Sequence, residues 1–126
     1  MNPASQDRRI DYVEFSTRDL GAAKKFYAAA FGWVFTDYAP DYSSFTDGRL
    51  SGGFTAKPGA PRPMNPLIVL FGADLEATQA RVVAAGGAIT LAAFEFPGGR
   101  RFHFTDPAGL ELAVWSDRRA DGSIIS

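Results

Sequence analysis

The chain is written twice. From Ile10 the residues IDYVEF alternate as a strand does, and TRDLGAAKKFYAAAFG follows with the composition of a helix. Asp19 stands where an N-cap belongs, Leu20, Ala23, Tyr27 and Ala30 recur at helical spacing, and Gly32 ends the run. From Leu67 the same order returns: LIVLFG as a strand, then ADLEATQARVVAAGG as a helix capped by Asp74. A shift of 55 residues lays Asp19 on Asp74, Leu20 on Leu75, Ala22 on Ala77, Ala30 on Ala85 and Gly32 on Gly87. Fold choice narrows sharply, because both halves must repeat one supersecondary unit.

The later parts of each half repeat too. Phe45-Thr46-Asp47 matches Phe104-Thr105-Asp106 at a shift of 59, and past the Gly48 and Gly109 turns the shift reads as 61. The first half is predicted to add strands near 33–38, 42–46 and 50–56, the second near 88–93, 100–105 and 110–116. Each half is then strand, helix and three strands. The connection KPGAPRPMNP, Lys57 to Pro66, holds four prolines, which resist both helix and central strand. We divide the chain into module one (9–56), a proline-rich linker (57–66), module two (67–116) and a C-terminal tail (117–126). Each module is too short to close a core alone, so the two are read as one domain.

The helices must cover one face of the strands. Val13 and Phe15 are apolar, as are their counterparts Ile68 and Leu70, and these mark the helix-facing side. The other side carries Tyr12 and Glu14, then Leu67, Val69 and Phe71, then Glu111, Ala113 and Trp115. A mostly apolar surface with a few polar groups suits a small-molecule pocket, and equally suits a face that packs on a second chain.

Composition removes several function classes. Net charge is −1 over 126 residues, with 46% hydrophobic and 21% charged, so nothing favours nucleic acid or an anionic membrane as partner. No apolar run approaches the length of a membrane span, and the opening MNPASQDRR lacks the apolar centre of a signal peptide. With no cysteine there is no disulfide, thiolate nucleophile or cysteine zinc site, and a cytoplasmic protein is expected. The pairs Arg100-Arg101 and Arg118-Arg119 read as solvated surface. The lone histidine, His103, lies between Phe102 and Phe104 on a predicted strand and reads as structural.

The segments DLGAAKKFYAAAFGW and DPAGLELAVW, in that order, resemble the vicinal oxygen chelate superfamily of glyoxalases, bleomycin resistance proteins and ring-cleaving dioxygenases. The resemblance covers about residues 9–116. It implies an α+β fold of two tandem βαβββ modules in a cupped mixed sheet, helices on the outer face, and a homodimer. It also implies four metal-ligand positions, which here read Tyr12, Gly52, Leu67 and Ala113. Of these only the tyrosine has an atom that could meet a cation, whereas zinc, iron or manganese takes several His, carboxylate or thiolate ligands. No metal and no other cofactor is expected.

Glu14 and Glu111 each lie two residues from a vacated ligand position, on the same strand face, and are the candidate acid–base pair. Tyr12, Trp33, Phe35, Phe71 and Trp115 are the candidate ligand-binding aromatics. Tyr12 is expected to donate to Glu111, with Glu111 important to the site and His103 not. Three functions stay open: a metal-independent binder of a small aromatic or amphipathic compound, like the drug-sequestering members; a lyase, isomerase or dioxygenase with a displaced site; or a non-catalytic interaction module.

Overall fold

The computed structural model describes residues 6–57, 66–107 and 109–126. The predicted linker falls largely on residues 58–65, outside the described residues. The elements in chain order are β1 (Ile10–Ser16), α1 (Leu20–Phe31), β2 (Val34–Ala39), β3 (Tyr42–Thr46), β4 (Ser51–Thr55), β5 (Leu67–Phe71), α2 (Leu75–Ala84), β6 (Ala88–Phe96), β7 (Gly99–Thr105) and β8 (Glu111–Ser116). Both repeats are therefore βαβββ, and the class is α+β, as the duplication predicts.

The two helix starts are chemically equivalent. Asp19 accepts from the Ala22 N–H and Asp74 from the Ala77 N–H, each at 3.0 Å, and both aspartates have extended backbone. Each bond satisfies one of the amide donors that a helix start leaves open. The helix ends differ. α1 stops at Gly32, in the left-handed region at φ 74°, where its N–H reaches the Ala28 carbonyl. α2 runs through right-handed Ala85, and the left-handed residue is Gly86 at φ 102°. Gly86, not Gly87, is thus the conformational counterpart of Gly32.

The described residues between Tyr12 and Leu67 form one compact unit. Its strands lie in the order β2-β3-β4-β1, antiparallel except for the parallel pair β4–β1. Strand alternation sends Phe15, Phe45 and Phe54 to the helix side. Trp33 stacks at 4.4 Å on Phe45 and at 4.7 Å on Tyr27 of α1, and Phe35 lies 6.0–6.1 Å from Phe54 and Phe45. This aromatic layer is the unit's core, and offset or tilted ring pairs of this kind add to plain area burial.

The described residues up to Asp11, with Ile68–Ser126, form the second unit. Its strand order is β5-β8-β7-β6, with β5–β8 parallel. Leu75, Phe102 and Val114 are its buried centre, and Leu70, Val82, Ile89 and Phe104 pack on them. The predicted helix-facing sides are thus borne out at Phe15 and Leu70. The segment before β1 bonds to β5, Arg8 N–H to the Phe71 carbonyl at 2.7 Å and Phe71 N–H to the Arg9 carbonyl at 3.0 Å.

Two expectations need correction. β6 runs on to Phe96 instead of stopping near residue 93, because its register with β7 shifts between Ile89 and Leu91 and again between Leu91 and Phe94. Such irregularities break the alternation that marks a strand in sequence. Arg100 is not a solvated cation: its side chain is 12% exposed and forms a two-pronged pair with Glu76 at 2.5 and 2.7 Å. The C-terminal tail packs on its unit, with Ile125 buried and its N–H donating to the Asp117 carbonyl at 2.8 Å.

Candidate functional site

In the first unit β1 and β4 pair with Glu14 level with Gly53, and β3 and β4 pair with Ser44 level with Gly53. Residues level with one another share a face. The non-helix face of this unit therefore holds Tyr12, Glu14, Tyr42, Ser44, Ser51 and Gly53. It is a surface of hydroxyls around one carboxylate.

Three of these groups are joined. The Tyr42 hydroxyl donates to Glu14 Oε2 at 3.0 Å, and the Tyr12 and Tyr42 hydroxyls are hydrogen-bonded to each other. All three residues are partly buried. Burial first, and then the negative charge of Glu14, push the Tyr42 phenol far above its ordinary range. Tyr42 therefore stays protonated at any physiological pH. Space for the cluster comes from Gly53: a Cβ there would overlap the hydroxyls of both Tyr42 and Tyr12. A glycine inside a strand often marks such a close approach.

The register also revises one alignment. Glu14 is level with Gly53, and in the second unit Val69 is level with Ala113. Because Glu14 and Val69 are repeat positions, Gly53 is the counterpart of Ala113. Gly52 lies on the opposite face, where a Cβ would meet the Val13 carbonyl and the Phe45 ring. The shift along the last strand is thus 60 residues, not 61.

In the second unit Glu111 is half exposed, its side chain 48% accessible. Its Oε2 accepts from Thr90 Oγ1 at 3.2 Å and lies 3.3 Å from His103 Nδ1. A carboxylate can only accept, so this contact favours the tautomer with hydrogen on Nδ1. Glu111 thus has two partners within its own unit, and Tyr12 pairs with Tyr42 in the first unit. His103 also stands directly across from Ala113 and shares the face of Glu111. The sequence reading separated these two residues because it had no β7–β8 register. Phe71 is 2% exposed and meets Trp115 edge to face at 5.3 Å, and the Trp115 indole N–H donates to Asp11 at 2.8 Å.

The predicted site residues therefore divide. Tyr12 and Glu14 are brought together through Tyr42, and Phe71 and Trp115 touch. Trp33 and Phe35 lie in the helix-side aromatic layer of the first unit, on the face opposite Tyr12 and Glu14. Sequence reasoning missed Tyr42, Gly53 and Thr90. For the first two a signal existed: adjacent glycines in a strand, beside a YSSFT segment whose Phe45 points to the core and so sends Tyr42 the other way. A shallow depression on α2, lined by Glu76, Gln79, Ala80, Val83 and Ala84, contains none of these groups.

Of the ligand positions that the resemblance implies, only Tyr12 carries a side-chain oxygen or nitrogen. Leu67, Ala113 and either strand glycine offer no ligand atom, and among the described residues no three His, Asp or Glu side chains gather as a metal site would need. Among the described residues no helix is long and apolar enough to cross a membrane.

Residues 9–114 match the sequence model of the Glyoxalase/Bleomycin resistance protein/Dioxygenase superfamily, and the chain belongs to that family. Its relatives include CFP32 of Mycobacterium bovis, whose name carries the word glyoxylase, at 32% identity over 91% of this chain and 48% of that protein. The anthracycline biosynthesis protein DnrV of Streptomyces peucetius is 29% identical over 91% of this chain and 49% of its own length. This chain spans about half the length of the curated relatives it matches. Among solved structures, the Mn(II)-bound glyoxalase of Novosphingobium aromaticivorans is 26% identical with TM-score 0.64, over 89% of this chain and 40% of that one. Methylmalonyl-CoA epimerase of Mycobacterium tuberculosis shares the fold, with TM-score 0.69 at 14% identity over 92% of each chain.

Proposed function

We propose that the chain is a metal-independent binder of a small aromatic or amphipathic compound, and that the polar face of its first unit is where the compound's hydrogen-bonding group is held. The joined hydroxyls of Tyr12 and Tyr42 on Glu14, in the space left by Gly53, carry this reading. Holding a partly buried carboxylate and two phenols together costs desolvation, and the cluster offsets that cost by satisfying its members mutually. Such a preformed set orients a ligand without a cation. A relative named for anthracycline biosynthesis supports a compound, not a macromolecule, as the ligand.

A thermal-shift screen of small aromatic alcohols and amines tests it. Hits should lose about tenfold in affinity, about 1.4 kcal/mol, in Glu14→Gln and keep it in Glu111→Gln. Hits that survive Glu14→Gln and vanish in Glu111→Gln would move the site to the second unit. Metal independence has its own check: elemental analysis after chelator-free purification should find no stoichiometric zinc, iron or manganese.

The partner expected beside the ligand is a second copy of the chain. Relatives about twice as long support this. Sedimentation at micromolar concentration should then give twice the 13.6 kDa chain mass, and a clean monomer would refute it. A cytoplasmic location belongs to the same reading, and cell fractionation tests it. An enzymatic role, as lyase or isomerase, is favoured by one observation: a carboxylate linked through a phenol to a second phenol can pass a proton.

A further inference from the structure

The hydrogen bonds of the Tyr12–Tyr42–Glu14 cluster have a direction. A phenol carries one proton, and a carboxylate only accepts. The Tyr42 proton is given to Glu14 Oε2 at 3.0 Å. In the bond between the two phenols Tyr42 must therefore accept, and Tyr12 must donate. That commits the Tyr12 proton as well. Any further group that meets the Tyr12 oxygen has to bring its own hydrogen, since the oxygen keeps only lone pairs. The same holds for the rest of the Glu14 carboxylate. Gly53 holds the arrangement, because a side chain there would push both hydroxyls off their line.

We propose that this one-way chain selects ligands that present a hydrogen-bond donor, a hydroxyl or a primary ammonium, over ligands that present only an acceptor. Tyr42 is the positioning residue: it sets the direction, and Tyr12 and Glu14 present the result. This inference rests on the binding reading above and adds the ligand's chemical class. Removing the Tyr42 hydroxyl releases the Tyr12 proton, and Tyr12 can then donate to an acceptor.

The test uses two probes with one skeleton, 2-phenylethanol and its methyl ether, which differ in the single donor hydrogen. Each is titrated against the full chain by nuclear magnetic resonance. Wild type should bind the alcohol roughly tenfold more tightly than the ether, the scale of one charge-assisted hydrogen bond. In Tyr42→Phe the ratio should fall below about threefold through tighter ether binding, a gain that simple damage to the fold would not produce. If Tyr42→Phe fails to melt cooperatively, Glu14→Gln serves instead, because its amide can donate back into the chain and undo the direction. Equal binding of both probes to wild type would overturn the selectivity and leave the binding reading standing. An undiminished preference in the variant would overturn the role of Tyr42. Failure of both probes to bind at millimolar concentration would overturn both the binding reading and this one.

Discussion

β4 and β8 end their repeats in the same register, yet one reads Gly52-Gly53 and the other Leu112-Ala113. What faces each pair explains the difference. Gly53 shares its face with Tyr12 and Tyr42, whose hydroxyls occupy the space of a Cβ. Ala113 is level with Val69, and its methyl group is fully buried. On the helix side Gly52 yields to the Phe45 ring, whereas Leu112 is accommodated opposite Phe104. The backbone repeat survives because aspartate caps and strand pairing specify it. The two faces differ between the modules because each is set by its own packing partners. In module one Gly53 leaves the space that the polar cluster occupies.

The largest effect should come from Gly52→Ala. The added methyl meets a backbone carbonyl, which cannot swing aside, as well as Phe45. We expect a loss of about 3 kcal/mol, the upper part of the overpacking range, read as a lowered denaturation midpoint. Gly53→Ala meets only side-chain atoms, the two tyrosine hydroxyls and the Tyr42 ring carbon, so its stability cost should be smaller, about 1–2 kcal/mol, with the Tyr12–Tyr42 bond disrupted. The mirror change Ala113→Gly should cost about 1–2 kcal/mol, from backbone freedom plus the loss of one buried methyl, and should leave the Tyr12–Tyr42 bond intact. Survival of that bond in Gly53→Ala, or its loss in Ala113→Gly, would erase the distinction between the strands.

Asp19→Ala and Asp74→Ala probe what the modules share. Each should lose about 0.5–2 kcal/mol, and the two losses should agree, since the caps have the same geometry. A large difference would mean that the frames have diverged along with the faces.

The smallest effect belongs to module two. Glu76 is held below its ordinary value of 4.5 chiefly by its hydrogen bonds to Arg100. A carboxylate depressed in the fold stabilises above its unfolded value and loses that contribution as pH falls through the lower folded value. Glu76→Gln should therefore cost about 0.2–1 kcal/mol at neutral pH, discounted because the carboxylate is 55% exposed, and nothing in strong acid. A cost independent of pH would assign the pair to packing alone.

The frame was legible in sequence because caps, alternation and turn glycines are local signals. Asp19, Asp74, Phe15 and Leu70 all stand where those signals put them. The site was only half legible. Glu14 and Tyr12 follow from counting along one strand, but Tyr42 and Gly53 come from β3 and β4, and only register joins them. Trp33 and Phe35 were misjudged for the opposite reason: an aromatic on an amphipathic strand looks alike whether it lines a site or packs under a helix. Arg100 read as surface because its partner, Glu76, lies 24 residues away.

The claim that polar recognition belongs to module one is tested most directly by mapping 2-phenylethylamine on the isotope-labelled chain by nuclear magnetic resonance. The largest amide shifts should fall at Tyr12, Glu14, Tyr42 and Gly53, and they should disappear in Glu14→Gln. Largest shifts at Thr90, His103 and Glu111, persisting in Glu14→Gln, would contradict it.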